Sequence, residues 1–231
     1  MKKIIIRSVV FDMDGVITDT MRYHYFAWKK VFAKVGVNVT RLDVYRREGQ
    51  RGLASIQGMC KDKGIMISRK TAQMLLNKKE ALFKRIFKKR FVRGSRTFVR
   101  RLSSEGFRLA LVTGTSFHEV EKILPDSLRQ RFEVVVTGCD VRHGKPHPEP
   151  FLKALRLLRL KAYDAIVIEN APLGVLSAKR AGLRCLALET SLPRSFLKKA
   201  DRVFSSYREM GQHVHLVLKK LGRYEKDHCR K

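Results

Sequence analysis

Short apolar runs alternate with helical patterns along most of this 231-residue chain. Such alternation is typical of β-α units that build a parallel sheet. Several of the runs are apolar at consecutive positions, which indicates strands covered by helices on both faces. We therefore predict an α/β fold with a parallel sheet. Its expected strands are residues 4–11, 108–113, 133–137, 165–169, 184–188 and 202–204.

Helix signals separate these runs. Thr97 can cap a helix that ends near Gly106. Pro148 and Pro172 each lie near the start of a further helix, because proline is favoured in the first turn. A last helix is expected over residues 207–221.

Residues 20–94 break the alternation, since they carry little strand signal. They carry two helical stripes of apolar residues instead. We predict a helical domain over 20–94, inserted into an α/β core made of 1–19 and 95–231. The stripes are Trp28, Val31, Phe32 and Val35, and then Ala72, Leu75, Leu76, Leu82, Phe83, Ile86 and Phe87.

The chain is strongly basic, with 50 Lys and Arg against 21 Asp and Glu and a formal net charge of +29. Residues 21–93 hold 20 of these basic residues and only 4 acidic ones. Such an excess attracts polyanions such as nucleic acid, or it is simply a solvated surface without a dedicated partner. No apolar run approaches the length of a membrane-spanning helix, so no membrane partner is expected.

The cysteines indicate a reducing compartment. None of Cys60, Cys139, Cys185 and Cys229 forms a C-x-x-C pair, which argues against a zinc knuckle or a disulfide framework. Arg7 interrupts the first apolar run and no small-residue cleavage site follows, so we interpret that run as a strand and not as a signal peptide. A cytoplasmic protein is therefore expected.

Two carboxylates, Asp12 and Asp14, follow the first predicted strand. The carboxyl end of a parallel strand is where open α/β sheets bind ligands. Neighbouring carboxylates repel each other unless a cation or a shared proton intervenes, and Mg²⁺ accepts their oxygens readily. With a metal bound, one carboxylate can attack phosphorus while the other transfers protons.

The longer string Asp12-Met13-Asp14-Gly15-Val16-Ile17-Thr18-Asp19-Thr20 resembles the first signature of the haloacid dehalogenase superfamily. The resemblance extends over nearly the whole chain. The three later signatures are matched by Thr113 in Leu111-Val112-Thr113-Gly114-Thr115, by Lys145 in Gly144-Lys145-Pro146-His147-Pro148, and by Glu169-Asn170 after Ile166-Val167-Ile168.

This resemblance implies a Rossmann-like core with an inserted all-α cap domain, and it implies a role for each matched residue. Asp12 would be the nucleophile and Asp14 the general acid and base. The phosphoryl group would be held by Thr113, Gly114 and Lys145, with Lys145 also counted as catalytic. The Mg²⁺ ligands would be Asp12, Asp14, Glu169 and Asn170.

Asn170 departs from the family pattern, which commonly has a metal-ligating aspartate there. An amide oxygen is acceptable to Mg²⁺ but brings one negative charge fewer. We expect Glu169 to compensate, directly or through water.

Within the superfamily, the string from Asp14 to His24 and Trp28 is similar to β-phosphoglucomutases and their phosphatase relatives. The predicted substrate-binding residues are His24, Arg47 and Arg51; arginines can hold an anion in bidentate fashion. In the alternative interpretation, His24 only packs on Trp28 and the arginines are exposed. Glu48 stands where a basic residue would be expected in a mutase.

We therefore predict a Mg²⁺-dependent, monomeric phosphatase acting on a small phosphorylated metabolite such as a sugar phosphate. Two alternatives stay open at this point. One is a sugar-phosphate mutase of the β-phosphoglucomutase type, which differs only in the acceptor of the phosphoryl group. The other is a non-catalytic basic protein that binds polyanions, including nucleic acid without sequence specificity.

Overall fold

The computed structural model describes residues 6–213. Six parallel strands form one sheet in the order β3-β2-β1-β4-β5-β6. The strand order reverses on the two sides of β1, which places a crevice at the carboxyl end of that strand. The predicted α/β class is thus confirmed. The strands are β1 (Ser8–Phe11), β2 (Arg108–Val112), β3 (Val134–Val136), β4 (Ala165–Glu169), β5 (Arg184–Leu188) and β6 (Arg202–Phe204).

The predicted bounds of the first three strands were too wide. β1 begins at Ser8, and Arg7 before it is exposed; residues 4 and 5 lie outside the described residues. Thr113 is not part of β2, although its N–H still donates to the Val136 carbonyl at 2.9 Å. The residues just outside the strands include Ile6, Thr113 and Thr137, whose side chains are as apolar or β-branched as those of the strands, so composition alone does not mark where pairing stops.

Five helices that lie wholly within the described residues pack around the sheet, and one of their predicted starts was wrong. The helix assigned to a Thr97 cap begins at Ser95, after Gly94 with a φ of 87°. Ser95 is buried and donates to the Ile17 carbonyl at 2.8 Å, which draws the start of the helix three residues earlier. The core helices are α5 (Ser95–Ser104), α6 (Phe117–Ile123), α7 (Asp126–Arg129), α8 (Glu149–Leu158) and α9 (Pro172–Arg180).

The helix predicted over 207–221 does begin at Tyr207, and the rest of its predicted range, 214–221, lies outside the described residues. Helices cover both faces of the sheet, as the consecutive apolar positions predicted. Phe11 belongs to the apolar cluster on one face and Val10 to the cluster on the other, and both are fully buried.

The segment between β1 and α5 contains four helices with an apolar cluster of their own. Trp28, Phe32, Ile56 and Leu75 belong to this cluster, whereas Val35 lies beyond the first helix and is exposed. The helices are α1 (Met21–Ala33), α2 (Arg41–Tyr45), α3 (Gly52–Lys61) and α4 (Arg69–Ile86). The exact domain limits at 20 and 94 stay a prediction.

The two connections between the core and this helical insert run side by side. The N–H of Asp19 donates to the Arg90 carbonyl at 2.9 Å, and the N–H of Val92 donates to the Ile17 carbonyl at 3.1 Å. Within residues 6–213, no helix combines the length and the apolar character that crossing a membrane would require.

Candidate active site

The crevice at the carboxyl edge of the sheet gathers the side chains that the sequence singled out. Asp12 follows β1, Thr113 follows β2, and Glu169 is the last residue of β4. Because β1 lies between β2 and β4, these three positions are neighbours although far apart in the chain. All three side chains are buried.

Lys145 stands at the centre of this group. Its Nζ lies 2.5 Å from Asp12 Oδ1 and 2.6 Å from Glu169 Oε1, and it donates to the Val112 carbonyl at 3.3 Å. The lysine side chain is only 1% exposed. Burial works to lower the pKa of Lys145, but the charges of Asp12 and Glu169 outweigh it and raise that pKa. The ammonium is therefore fixed as a buried cation.

The carboxyl group of Asp12 is crowded by other carboxylates. Burial raises the pKa of Asp12 to about 8, with Lys145 opposing and Glu169 and Asp14 adding to the rise. One cation thus faces several acidic groups. A second cation would relieve this repulsion, which is the electrostatic reason to look for a metal here.

Asp14 is held by three donors. It accepts hydrogen bonds from the Thr20 hydroxyl, from Thr115 Oγ1 at 3.3 Å and from His24 Nε2 at 3.4 Å. Burial acts to raise the pKa of Asp14, but the hydrogen bonds from His24 and from the Thr20 hydroxyl, with the positive charge of Lys79, lower it overall. Asp14 is therefore positioned by neutral and basic donors, in contrast to Asp12.

His24 is oriented by groups of the helical insert. Its ring stacks on Phe83 at a centroid distance of 4.1 Å, and Lys79 Nζ lies 3.0 Å from His24 Nδ1. Because an ammonium only donates, Nδ1 is the acceptor and Nε2 carries the proton that points to Asp14. The predicted residue His24 thus lies in the site, while its orienting partner Lys79 had no sequence signal.

Glu48 was missed as a site residue, because it was judged only as a departure from the mutases. It lies between α2 and α3, is 9% exposed, and its Oε2 accepts from Asn170 Nδ2 at 3.0 Å. Asn170 Nδ2 also donates to Ser191 Oγ at 2.9 Å. Burial and the nearby Asp12 and Asp14 raise the pKa of Glu48 well above its usual value. The signal available in the sequence was the neutral Asn170 together with the unexpected acidic residue Glu48 in the insert.

Glu169 has protein partners for both of its oxygens. Oε1 accepts from Lys145, and Oε2 accepts from the backbone N–H groups of Asn170 and Ala171 at 2.8 and 3.0 Å. A side chain at Gly174 would collide with this carboxylate, since a Cβ there would lie 1.7 Å from Oε1. The glutamate is thus tightly fixed as a partner of Lys145.

Three buried oxygens in the same crevice have no hydrogen-bond partner among residues 6–213: Asp12 Oδ2, Glu48 Oε1 and Asn170 Oδ1. Buried polar atoms normally find a partner, so three orphans together need an explanation. Two carboxylate oxygens and one amide oxygen form the donor set that a hard divalent cation prefers. The residues present therefore fit Mg²⁺.

A cavity of about 100 Å³ lies between the core and the insert. Arg47 lines it, donating to Asp62 at 2.5 Å and to the Gly58 carbonyl at 3.2 Å, while its buried Nε has no partner in the described part of the chain. Arg51 lies outside this cavity and donates to the Arg142 carbonyl at 2.8 Å. The cavity is lined by Asp12, Asp14, Met21, His24, Trp28, Val44, Arg47, Glu48, Gly49, Gln50, Gly52, Ser55, Met59, Thr113, Gly114 and Thr115.

The turn after β2 closes the cavity from the core side. Thr113 Oγ1 accepts from the Thr115 N–H at 3.1 Å. Gly114 lies against the backbone of Gly49, so that a Cβ at 114 would be 3.2 Å from the Gly49 oxygen. The predicted phosphate-binding residues Thr113 and Gly114 thus lie next to Asp12 and beneath the insert.

We predict that replacing Lys145 by Met makes the folded protein sensitive to alkaline pH. The change leaves Asp12 buried without its cation, and its folded pKa then rises further above the unfolded value of about 4. Beside Lys145 the pKa of Asp12 is already about 8, so the wild type also loses stability between pH 4 and 8. The further loss in the variant develops above pH 8, by up to about 1.4 kcal/mol for each pH unit. Urea denaturation with a chelator present measures this.

The control for this experiment is Lys153→Met, because Lys153 is a surface lysine paired with Asp140. Loss of this lysine should lower the free energy of unfolding by no more than about 1 kcal/mol, and the loss should not grow above pH 8. Equal losses in the two variants would contradict the buried ion pair.

Comparison with known proteins agrees with this geometry. The family model of the haloacid dehalogenase-like hydrolases matches residues 6–182. A phosphorylated carbohydrates phosphatase of Thermotoga maritima is 31% identical over 76% of this chain and 82% of its own, and the β-phosphoglucomutase of Bacillus subtilis is 27% identical over 81% and 85%.

Among solved structures, a putative β-phosphoglucomutase from Bacteroides vulgatus superposes with a TM-score of 0.82. It is 29% identical in sequence, and the match covers 93% of this chain and 89% of that one. The resemblance inferred from the four signatures and the predicted hydrolase class are therefore confirmed, and the chain belongs to the haloacid dehalogenase-like hydrolase family.

Proposed function

We propose that the protein is a Mg²⁺-dependent phosphatase that hydrolyses small phosphorylated metabolites through an aspartyl-phosphate on Asp12. One observation carries this proposal. Asp12 lines the cavity between core and insert, with one oxygen held by Lys145 and the other buried without a partner among the described residues. A fixed carboxylate with one free oxygen is arranged for attack on phosphorus.

The reaction then takes two steps. An oxygen of Asp12 forms a bond to phosphorus as the bond to the leaving-group oxygen breaks, and Asp14 gives its proton to that oxygen. Water next attacks the aspartyl-phosphate, Asp14 takes the proton from the water, and Asp12 and inorganic phosphate are released. Asp14 needs a proton for the first step, and the negative phosphate bound beside it favours the protonated form.

The oxygens of the transferring group are held from the core side. The Thr113 hydroxyl and the N–H of Gly114 donate to them, and Lys145 balances their charge together with that of Asp12. Glu169 acts here by fixing Lys145, with which it forms a 2.6 Å contact. Its role is then to position the lysine.

Mg²⁺ would be held by Asn170 Oδ1, Glu48 Oε1, the backbone carbonyl of Asp14 and the oxygen of Asp12 that does not attack phosphorus. When bound, it neutralises the charge of the carboxylates and of the phosphoryl oxygens. In this assignment Glu48 restores the charge that Asn170 lacks. The supporting observation is that Glu48 and Asn170 are already hydrogen-bonded to each other in this crevice.

Residues 20–94 would serve as the cap. Glu48 of this segment is hydrogen-bonded to Asn170 of the core, and Gly49 lies against the Lys145 side chain. The site is therefore complete only when the segment is closed over the core. Closure excludes water from the reacting groups. The paired backbone connections at Asp19 and Val92 are the expected hinge.

The substrate class follows from the cavity and from the relatives. Arg47 brings the one arginine of the cavity lining to the cap side of the site, where it can bind the anionic or hydroxyl-bearing part of a small substrate. Relatives are named phosphatases of phosphorylated carbohydrates and of validoxylamine A 7'-phosphate. We propose sugar phosphates and similar metabolites as substrates, and a cytoplasmic monomer as the working form.

A direct assay separates the proposed reaction from that of a mutase. Steady release of phosphate from β-glucose 1-phosphate is expected. Conversion to glucose 6-phosphate, primed by a sugar bisphosphate, would favour the mutase instead.

Replacing Asp12 by Asn should lower phosphate release from p-nitrophenyl phosphate by roughly 10³-fold or more, because the amide is not a nucleophile. The surface variant Asp126→Asn should retain the wild-type rate. Full turnover in Asp12→Asn would rule out an aspartyl-phosphate on this residue.

Replacing Glu48 by Gln keeps an acceptor for Asn170 but removes the charge. The Mg²⁺ concentration for half-maximal rate should rise about tenfold or more. Glu121→Gln, on the surface of α6, is the matched control and should leave the Mg²⁺ requirement unchanged. An equal requirement in both variants would mean that Glu48 does not contribute to cation binding.

Gly49→Ala tests closure of the cap. Gly49 has a φ of 75°, and a Cβ there would lie 2.6 Å from Lys145 Cδ. Gly64 has a φ of 68° with open space around it, so Gly64→Ala carries the same backbone strain of about 1–2 kcal/mol without the collision. We expect kcat/KM to fall roughly a hundredfold in Gly49→Ala only. Similar rates in the two variants would show that this contact is not needed for the reaction.

A further inference from the structure

A second group of metal-binding side chains lies on the surface, around the turn that carries Lys145. His143, His147 and Glu149 each offer one ligand atom, and these atoms all lie within 4.8 Å of one another. Both histidines are exposed, whereas Lys145 between them is buried. The group shares no residue with the proposed Mg²⁺ site.

Two imidazoles and one carboxylate are the ligands of divalent transition metals. Zn²⁺, Co²⁺ and Ni²⁺ favour imidazole nitrogen, whereas Mg²⁺ and Ca²⁺ favour sites made entirely of oxygen. We propose that His143, His147 and Glu149 form a surface site for a divalent transition-metal ion such as Zn²⁺, with water completing the coordination.

The distances suit such a site. His143 Nδ1 lies 3.0 Å and His147 Nδ1 lies 3.9 Å from Glu149 Oε2. Ligands at 2.0–2.1 Å from a tetrahedral Zn²⁺ are about 3.3 Å apart. The observed separations lie on either side of that value, and the two exposed rings can adjust by small rotations.

The backbone holds the carboxylate in place. Glu149 Oε1 accepts from the Arg142 N–H at 2.7 Å and Oε2 accepts from the His143 N–H at 2.8 Å. His147 Nδ1 accepts only a longer bond of 3.2 Å from the Glu149 N–H, which a bound metal would replace. The carboxylate is thus preorganised, and metal binding would mainly restrict the conformational freedom of the two imidazole rings.

The surrounding positive charge disfavours metals that the ligands hold weakly. Arg142 is exposed beside the site, and Arg180 donates to the Pro146 carbonyl at 3.1 Å. This charge opposes every divalent cation, and it weighs most against hard ones, which gain little from imidazole and are held mainly by electrostatic attraction to oxygen ligands. Neutral imidazoles bind through nitrogen lone pairs and therefore tolerate it better.

The site borders the groove between the core and the helical insert. His143, His147 and Lys145 line this groove together with Arg51, which bonds the Arg142 carbonyl from the insert. A metal on the two histidines would link the residues on each side of Lys145 and stiffen the turn that presents it. The inference concerns metal binding, and it stands independently of the phosphatase proposal.

Calorimetric titration of Zn²⁺ into the untagged full chain tests the proposal, with millimolar Mg²⁺ present to saturate the proposed Mg²⁺ site. We expect one equivalent of Zn²⁺ to bind. The double variant His143→Ala/His147→Ala should weaken this binding by about tenfold or more, since even loss of an outer-shell partner costs 10–100-fold. His118→Ala, which removes an exposed histidine of α6, should bind as the wild type does.

Co²⁺ absorption gives a readout that does not depend on activity. Strong visible bands of four-coordinate Co²⁺ should appear in the wild type and in His118→Ala, and should be lost in the double variant. Circular dichroism checks that the double variant is folded, and Glu149→Gln is a further variant that should weaken binding. The proposal is overturned if the folded double variant keeps its Zn²⁺, or if Zn²⁺ binding is lost in Asp12→Asn instead, which would assign the ion to the catalytic crevice.

Discussion

The contact of Lys145 with Asp12 and Glu169 is the interaction on which the whole site depends. It joins the β3–α8 turn to the ends of β1 and β4, inside a crevice where the lysine is 1% exposed. Burial of charges is unfavourable unless each has a partner. The parallel sheet meets this requirement because its topology brings three chain segments to one edge.

Much of this arrangement could be predicted from local sequence. The strands β4, β5 and β6 have the predicted bounds, each made of a short apolar run and one charged residue at an end. The local sequence pattern did not predict where some elements begin and end, because tertiary contacts determine those positions. Ser95 begins a helix because its hydroxyl reaches the Ile17 carbonyl, a contact across 78 positions that no window around Thr97 contains.

The same distinction between local sequence and tertiary contacts applies to the residues of the candidate site. Asp12 and Lys145 lie in recognisable signatures, and the structure brings them together. No motif encodes how the insert lies on the core. This packing determines the contacts of Glu48 and Lys79 and the position of Arg51. The role proposed for Glu48 depends on its hydrogen bond with Asn170, which joins the insert to the core.

The paired connections between core and insert have a mechanical consequence. Because the backbone at Asp19 is bonded to Arg90, and that at Val92 to Ile17, the two crossings form a short ribbon rather than two independent tethers. A ribbon bends about one axis and resists twisting and sliding. The insert would therefore swing along a single arc, and each return would bring Glu48 and Gly49 back in register with Asn170 and Lys145.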